Sequence, residues 1–342
     1  MRRFEKGKVS IVTPCYNGEK FLGRYFDSIC KQTYEKVEVI FVNDGSNDNT
    51  EDVSLAWKSK VETRGYEFLY VLQKENMGAA AAINAGLSYV TGEFLIWPDC
   101  DDILMPTSIE RRVQFLNQNT DYAMVRSDFV SVNETKPGLI IGKGSDWADI
   151  KNESIFDDLI FERTYLTSGC YMVRSSILFE RIPGGEIYWE NKGGQNWQLL
   201  LPTSYMNKTG YIDEPLYKYF IRDDSHSHLI EGAEYDSHKN KTYVHHEILS
   251  NVLNSFHLLS DERKSNYLIQ VDIKYTLKRL DLALRYNIYS DAVSEMQRLN
   301  YFNVDPGISR KLLYYSCRFG FSKKIIQVHL FLTSMYRKLN II

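Results

Sequence analysis

Nowhere in the 342 residues is there an uncharged apolar run of about 18 residues or more, so no membrane-spanning helix is expected. Cysteine is scarce: five residues, at 15, 30, 100, 170 and 317, are scattered without any CxxC pair. An odd, dispersed set predicts reduced intracellular thiols and argues against a zinc site or a disulfide framework. No excess charge of one sign is present either, since 41 Lys and Arg face 44 Asp and Glu for a net charge of -3. The chain as a whole therefore carries no nucleic-acid footprint. Internal repeats and low-complexity tracts are missing. The opening MRRFEKGKVS has basic residues but no apolar core behind them, so neither a secretory signal nor an anchor is expected. These absences predict a cytoplasmic chain, at most peripheral on the inner face of the plasma membrane.

What is present is ordinary globular composition, with 44% hydrophobic and 25% charged residues. The length exceeds a typical single core and predicts one large domain plus a smaller one. Short β-rich runs VSIVT (9–13), VEVIFV (37–42), YEFLYVL (66–72) and EFLIW (93–97) alternate with helix-compatible segments at 18–35, 49–62 and 76–90. That alternation predicts an α/β fold with a mainly parallel central sheet covered on both faces. From 150 to 225 the pattern is mixed: NESIFDDLIFE reads as helix, SGCYMV and YIDEPLYKYFI as strands. After about 235 helical spacing takes over, in Val244, Ile248, Val252 and Phe256 and again in Leu277, Leu280 and Leu284. The expected division is a domain over 1–230 and an α-helical C-terminal domain over 231–342.

In open parallel sheets ligands bind beyond the carboxyl ends of the strands. The unusual residues fall there: TPCYNGE, NDGSNDNT, KENMGAAAAINAG and PDCDD follow the four strands in turn. PDCDD places Asp99, Asp101 and Asp102 within four positions. Buried carboxylates without cations cost several kcal/mol each, so the cluster lies in solvent or binds something positive. Oxygen-only donors suit Mg²⁺ or Mn²⁺, and magnesium usually takes one or two protein carboxylates with phosphates and water completing its shell. The competing reading is an exposed turn that caps a helix beginning near Pro106. Asp48 or Asn49 can cap the helix after NDGSNDNT, whereas Asp44 sits at the strand's own end, where a carboxylate can accept hydrogen bonds from a base or a ribose. Asn17-Gly18 permits close backbone approach, and Asn76-Met77-Gly78 opens a helix whose N-terminus favours an anion. Ala79 to Ala82 reads as tight helix–sheet packing.

With four such loops in order, residues 8 to 225 resemble the family 2 glycosyltransferases of the GT-A fold, the bacterial, nucleotide-sugar-dependent type of capsule, exopolysaccharide and cell-wall synthesis. The match rests on VSIVTPCYNGEKFLGRYFDSICKQTY, VEVIFVNDGSNDNT, NMGAAAAINAGL and Asp99-Cys100-Asp101-Asp102. The resemblance implies that Pro14, Tyr16, Asn17, Asn76 and Gly78 line a nucleotide pocket, that Asp44 binds the base, that Asp99 contacts ribose or sugar, and that Asp101 ligates a Mg²⁺ or Mn²⁺ bridging the diphosphate, with Asp99 as the second candidate ligand. It further implies a UDP-sugar or similar donor, a glycan or lipid-linked acceptor and inversion at the anomeric carbon.

One departure matters. Many members carry the catalytic base in a Glu-Asp pair heading a helix, but here ENKGGQNWQLLLP places Gln195 and Asn196 at those positions. Neither amide takes up a proton at neutral pH. Glu190, Glu186 or another carboxylate is left as base, with Glu190 favoured and the amides left to orient the acceptor. Downstream, RDDSHSH falls where relatives have a loop closing over the donor, making Arg222 a phosphate partner and His226 or His228 a further contact, against the alternative of a solvated linker. The stretch 306–342 interleaves basic residues with aromatics and aliphatics, which fits an interfacial helix on an anionic membrane or equally a packed helix in a homo-oligomer interface. Two other functions are weighed: a non-catalytic nucleotide-sugar-binding subunit, and a sugar nucleotidyltransferase, which TPCYNGE disfavours because it lacks a basic Gly-rich loop.

Overall fold

In a computed structural model, residues 2–188, 193–221 and 235–319 are described. The chain begins β1 (Glu5–Cys15), α1 (Glu19–Cys30), β2 (Val37–Asn43), α2 (Thr50–Thr63), β3 (Glu67–Leu72), α3 (Ala79–Leu87) and β4 (Gly92–Ile96). Each of these strands lies within a residue or so of its sequence run, except that β1 starts earlier, because continuous apolar runs buried on both faces are the mark of a parallel sheet. Val9, Ile11, Val39, Phe41, Leu95 and Ile96 are fully buried. Helix α1 turns Leu22, Tyr25, Phe26 and Ile29 inward at a spacing of three and four. Helix α3 lies close enough to the sheet that a Cβ at Gly86 would come 2.4 Å from Val12 Cγ1, so its small residues are packing residues.

There follow β5 (Ile103–Leu104), α4 (Ser108–Gln118), β6 (Tyr122–Asn133), β7 (Lys136–Lys143), α5 (Phe156–Ile160), β8 (Tyr171–Arg174), α6 (Ser175–Arg181), α7 (Gln195–Ser204) and β9 (Lys208–Ile221). The nine strands form one sheet in the order β3-β2-β1-β4-β8-β6-β9-β5, with β7 paired to β6. The parallel half, β3-β2-β1-β4, is the half read from the sequence. Beyond it β8 runs antiparallel to both β4 and β6, while β6 and β9 pair in parallel from Tyr122–Lys208 to Asn133–Ile221. The helix expected over NESIFDDLIFE shrinks to Phe156–Ile160, because the Asn152 side chain donates to Asp158 and exchanges bonds with the Ser154 backbone, making a turn where the helix would begin.

Helices α8 (Tyr235–Ser255), α9 (Asp261–Tyr286), α10 (Tyr289–Tyr301) and α11 (Ile308–Phe319) complete the described chain. Two compact units are separated by their contacts: residues 1–228 with 254–258, and residues 229–253 with 259–342. The second unit closes around Leu280, Ala283, Leu284, Ala292 and Leu299. Inside it, Arg279 and Glu295 form a buried ion pair at 2.9 Å, and the His246 ring stacks on Tyr275. Among the described residues no helix is long and apolar enough to cross a membrane. Of the basic C-terminal residues, Arg310 pairs with Asp281 and Lys311 with Asp305; residues 320–342 lie outside the described set.

Candidate active site at the carboxyl ends of the strands

The first two loops interlock. Asn17 adopts a left-handed conformation (φ 53°), its N–H donates to Ser46 Oγ at 2.9 Å, and its Oδ1 accepts from the Asn47 N–H at 3.0 Å. Gly18 N–H donates to Thr50 Oγ1, and Glu19 N–H to Asp48. Asp48 also accepts from the Thr50 N–H at 3.0 Å, whereas Asn49 makes no side-chain cap, so of the two expected caps it is Asp48 that serves the start of α2. Pro14 sits in register with Val42 at the end of β1, and Tyr16 projects 47% exposed.

Asp44, 2% exposed, accepts the Met77 N–H at 2.9 Å on one oxygen and the Gly78 N–H at 2.8 Å on the other. Asp44's carboxylate thus lies at the N-terminus of α3, where unpaired amides and the helix dipole favour an anion. Close approach also requires Gly45: at φ 66° a Cβ there would lie 2.4 Å from the Glu75 carbonyl carbon. The β2 and β3 loops, with Asn76 half-buried between them, are thus fixed by one carboxylate. Asp44→Asn is expected to lower stability by about 2 kcal/mol, because an amide nitrogen faces one of the two N–H donors; urea unfolding measures it.

The third element is the acidic loop after β4. Asp102 is 1% exposed and accepts from Tyr217 Oη–H at 2.8 Å and from the Phe220 N–H at 2.8 Å, both on β9. Burial first, and then the charges of Asp101 and Asp99, push its carboxyl well above the usual carboxylate range. The reading of this loop as a solvated cap for the next helix does not hold for Asp102: α4 begins only at Ser108, without a side-chain cap. Asp99 accepts from Ser168 Oγ–H at 2.8 Å, and its own N–H donates to Tyr217 Oη at 3.3 Å. Cys100 is half-buried with its thiol beside that of Cys15, and this contact, desolvation and the flanking aspartates all raise its pKa, which favours the thiol over a thiolate ligand.

Mutual repulsion across the three carboxylates is thereby reduced. Asp102 is buried and tied to β9, leaving Asp99 and Asp101, both half-buried, as the less enclosed carboxylates of the loop. Two such donors fit Mg²⁺ or Mn²⁺ when phosphate and water supply the rest. Among the described residues no three His, Cys, Asp or Glu side chains are placed to hold an ion by themselves.

At the N-terminus of α7, Asn196 Oδ1 accepts from Trp97 Nε1–H at 2.9 Å and its Nδ2 donates to the Leu166 carbonyl at 2.8 Å. Both ends of that amide are committed to tying β4 to the 166 loop. Trp197 is 7% exposed and donates to the Leu159 carbonyl. Gln195 begins the helix after Gly194, and Glu186 is exposed on the preceding turn. Glu190, Arg222, His226 and His228 lie outside the described residues. Ser168 and Tyr217, which set Asp99 and Asp102, escaped the sequence reading because no spacing signal links positions 99, 168 and 217.

A family model described as "Glycosyl transferase family 2" matches residues 10–182. A glycosyltransferase of Rickettsia prowazekii described as uncharacterized is 32% identical over 182 residues, 51% of this chain and 52% of that protein, so the chain spans about half the length of this relative. Among solved structures, S. aureus TarS 1-349 in complex with UDP-GlcNAc superposes with a TM-score of 0.61 at 18% identity, covering 91% of this chain and 87% of that one. A mannosyltransferase of Pyrobaculum calidifontis in complex with GDP-Man and Mn²⁺ does so at 0.52 and 14%, covering 96% and 86%. These two show the GT-A-like fold, and the family match over half the chain adds the rest: the chain belongs to glycosyl transferase family 2.

Proposed function

We propose that the protein transfers a sugar from a nucleoside diphosphate donor, a UDP-sugar foremost, to a hydroxyl of a glycan or lipid-linked acceptor, with inversion, in bacterial surface-polysaccharide synthesis. The observation that carries this reading is the asymmetry of the acidic loop, where Asp102 is buried against β9 while Asp99 and Asp101 stay half-buried beyond the carboxyl end of β4. Pro14, Tyr16 and Asn17 with the 76–78 loop form the nucleotide side, fixed by Asp44. A divalent ion held by Asp99 and Asp101 would supply electrostatic stabilisation of charge growing on the departing diphosphate. The bond from the anomeric carbon to the phosphate oxygen breaks as one to the acceptor oxygen forms on the opposite face, and the hydroxyl proton passes to a carboxylate, Glu190 being the favoured candidate. Ser168 holds one oxygen of Asp99, so that the side chain keeps one direction through the reaction. Gln195 would orient the acceptor. We place the enzyme in the cytoplasm.

A panel of UDP- and GDP-sugars with and without Mn²⁺ tests this by thermal shift. A donor at 100 times its Kd adds about 2.7 kcal/mol to native stability, and the shift is expected only with metal. A panel without a metal-dependent shift would refute the reading, and binding without transfer or hydrolysis would favour a non-catalytic binding subunit.

A further inference from the structure

Arg24 lies on α1, half-buried, and three of its five donors are in use. Nε donates to the Asp101 carbonyl at 3.0 Å, and Nη2 donates to the same oxygen. Nη1 donates to Glu134 Oε1 at 2.6 Å. The guanidinium lies 3.8 Å from the centroid of Phe220, the residue whose N–H bonds Asp102. Phe21 flanks it on its own helix at 5.1 Å. Four segments therefore converge on one planar cation: α1, the acidic loop, the end of β6–β7 at Glu134, and the end of β9.

We propose that Arg24, with Glu134, is a positioning residue for the metal-binding carboxylate of Asp101. The inference rests on the functional reading above and extends it. Asp102 is tied inward to β9, and the forked donation to the Asp101 carbonyl holds the loop from the other side. With the backbone of Asp101 fixed at both flanks, less of the loop remains to be ordered when a cation and diphosphate arrive. Arg24 and Glu134 together are net neutral, so the clamp sets direction without altering the charge that Asp99 and Asp101 offer. A purely stabilising ion pair is a poor account of this arrangement, since Glu134 Oε2 is buried with no hydrogen-bond partner among the described residues, an arrangement that costs stability. Lysine cannot reproduce the geometry, because an ammonium lacks the flat fork that reaches a carbonyl and a carboxylate while lying on a ring.

The test compares the full chain with Arg24→Gln, Arg24→Lys and Glu134→Gln, measuring UDP and GDP binding by calorimetry across a Mn²⁺ titration, together with the metal-free melting temperature. Arg24→Gln is expected to raise the Mn²⁺ concentration for half-maximal nucleotide binding at least tenfold, with Arg24→Lys intermediate and Glu134→Gln shifted the same way, while the metal-free melting temperature moves by less than the nucleotide-induced shift. An unchanged Mn²⁺ requirement in Arg24→Gln overturns the proposal, as does full recovery by lysine, which would reduce the role to charge. A loss of melting temperature that accounts for all weakened binding also overturns it. If the unmodified chain binds neither nucleotide in a metal-dependent way, the functional reading fails first, in a different sample of the same experiment, and this inference falls with it.

Discussion

Asp101→Asn is expected to lower kcat/KM for sugar transfer by about 10²–10³-fold, with the melting temperature nearly unchanged. The size follows from what the side chain does in the transition state. The departing diphosphate gains negative charge, and losing one of two carboxylate ligands weakens the hold on the cation that offsets it, a loss of about 3–4 kcal/mol. Stability is largely spared because Asp101 is half-buried, asparagine matches it in shape, and the bonds from Arg24 run to its backbone carbonyl, which asparagine retains. Steady-state transfer with excess Mn²⁺, alongside a melting curve, checks both halves. Activity within a few-fold of the parent would remove the metal from the mechanism.

Asp102→Ala is expected to do the reverse, destabilising the fold by about 3 kcal/mol and reducing transfer only as far as folding is lost. Its removal leaves Tyr217 Oη and the Phe220 N–H without their acceptor in a region closed to water. It also leaves a cavity beside a buried tyrosine. Asp102→Asn should retain most of the stability, because an uncharged side chain of the same shape already suits a site that drives the carboxyl toward neutrality. Urea unfolding followed by tryptophan fluorescence separates the three proteins. If Asp102→Asn abolished transfer while the fold survived, Asp102 would have to be counted with Asp99 and Asp101 as an anionic ligand. Two aspartates one position apart are thus predicted to fail in opposite ways.

Much of the site was legible in the primary structure because its signals are local. The strand runs ending at residues 13, 42, 72 and 97 each lead into a polar or glycine-containing loop, and the parallel sheet gathers those loops at one edge. The roles of single side chains were less legible. Asp44 reads as a ligand contact in the chain, and the structure adds its bonds to the Met77 and Gly78 amides, which no spacing signal announces. Asn196 reads as an altered catalytic position, and the structure adds its bonds to Trp97 and Leu166. No sequence signal singles out Arg24, which sits between an acidic loop, a carboxylate and an aromatic ring.

The sequence by itself determined the α/β alternation, the parallel half of the sheet and the identity of the acidic loop, since hydrophobic period and turn chemistry act over a few residues and survive in one dimension. Only the tertiary structure decided which of the three aspartates is buried, which carboxylate sits at the start of the third helix and how β6 and β9, some 85 positions apart in register, come to lie side by side. Those outcomes depend on burial and on partners distant along the chain, such as Ser168, Tyr217 and Phe220, and a carboxylate's charge state is set by the space around it rather than by its neighbours in sequence.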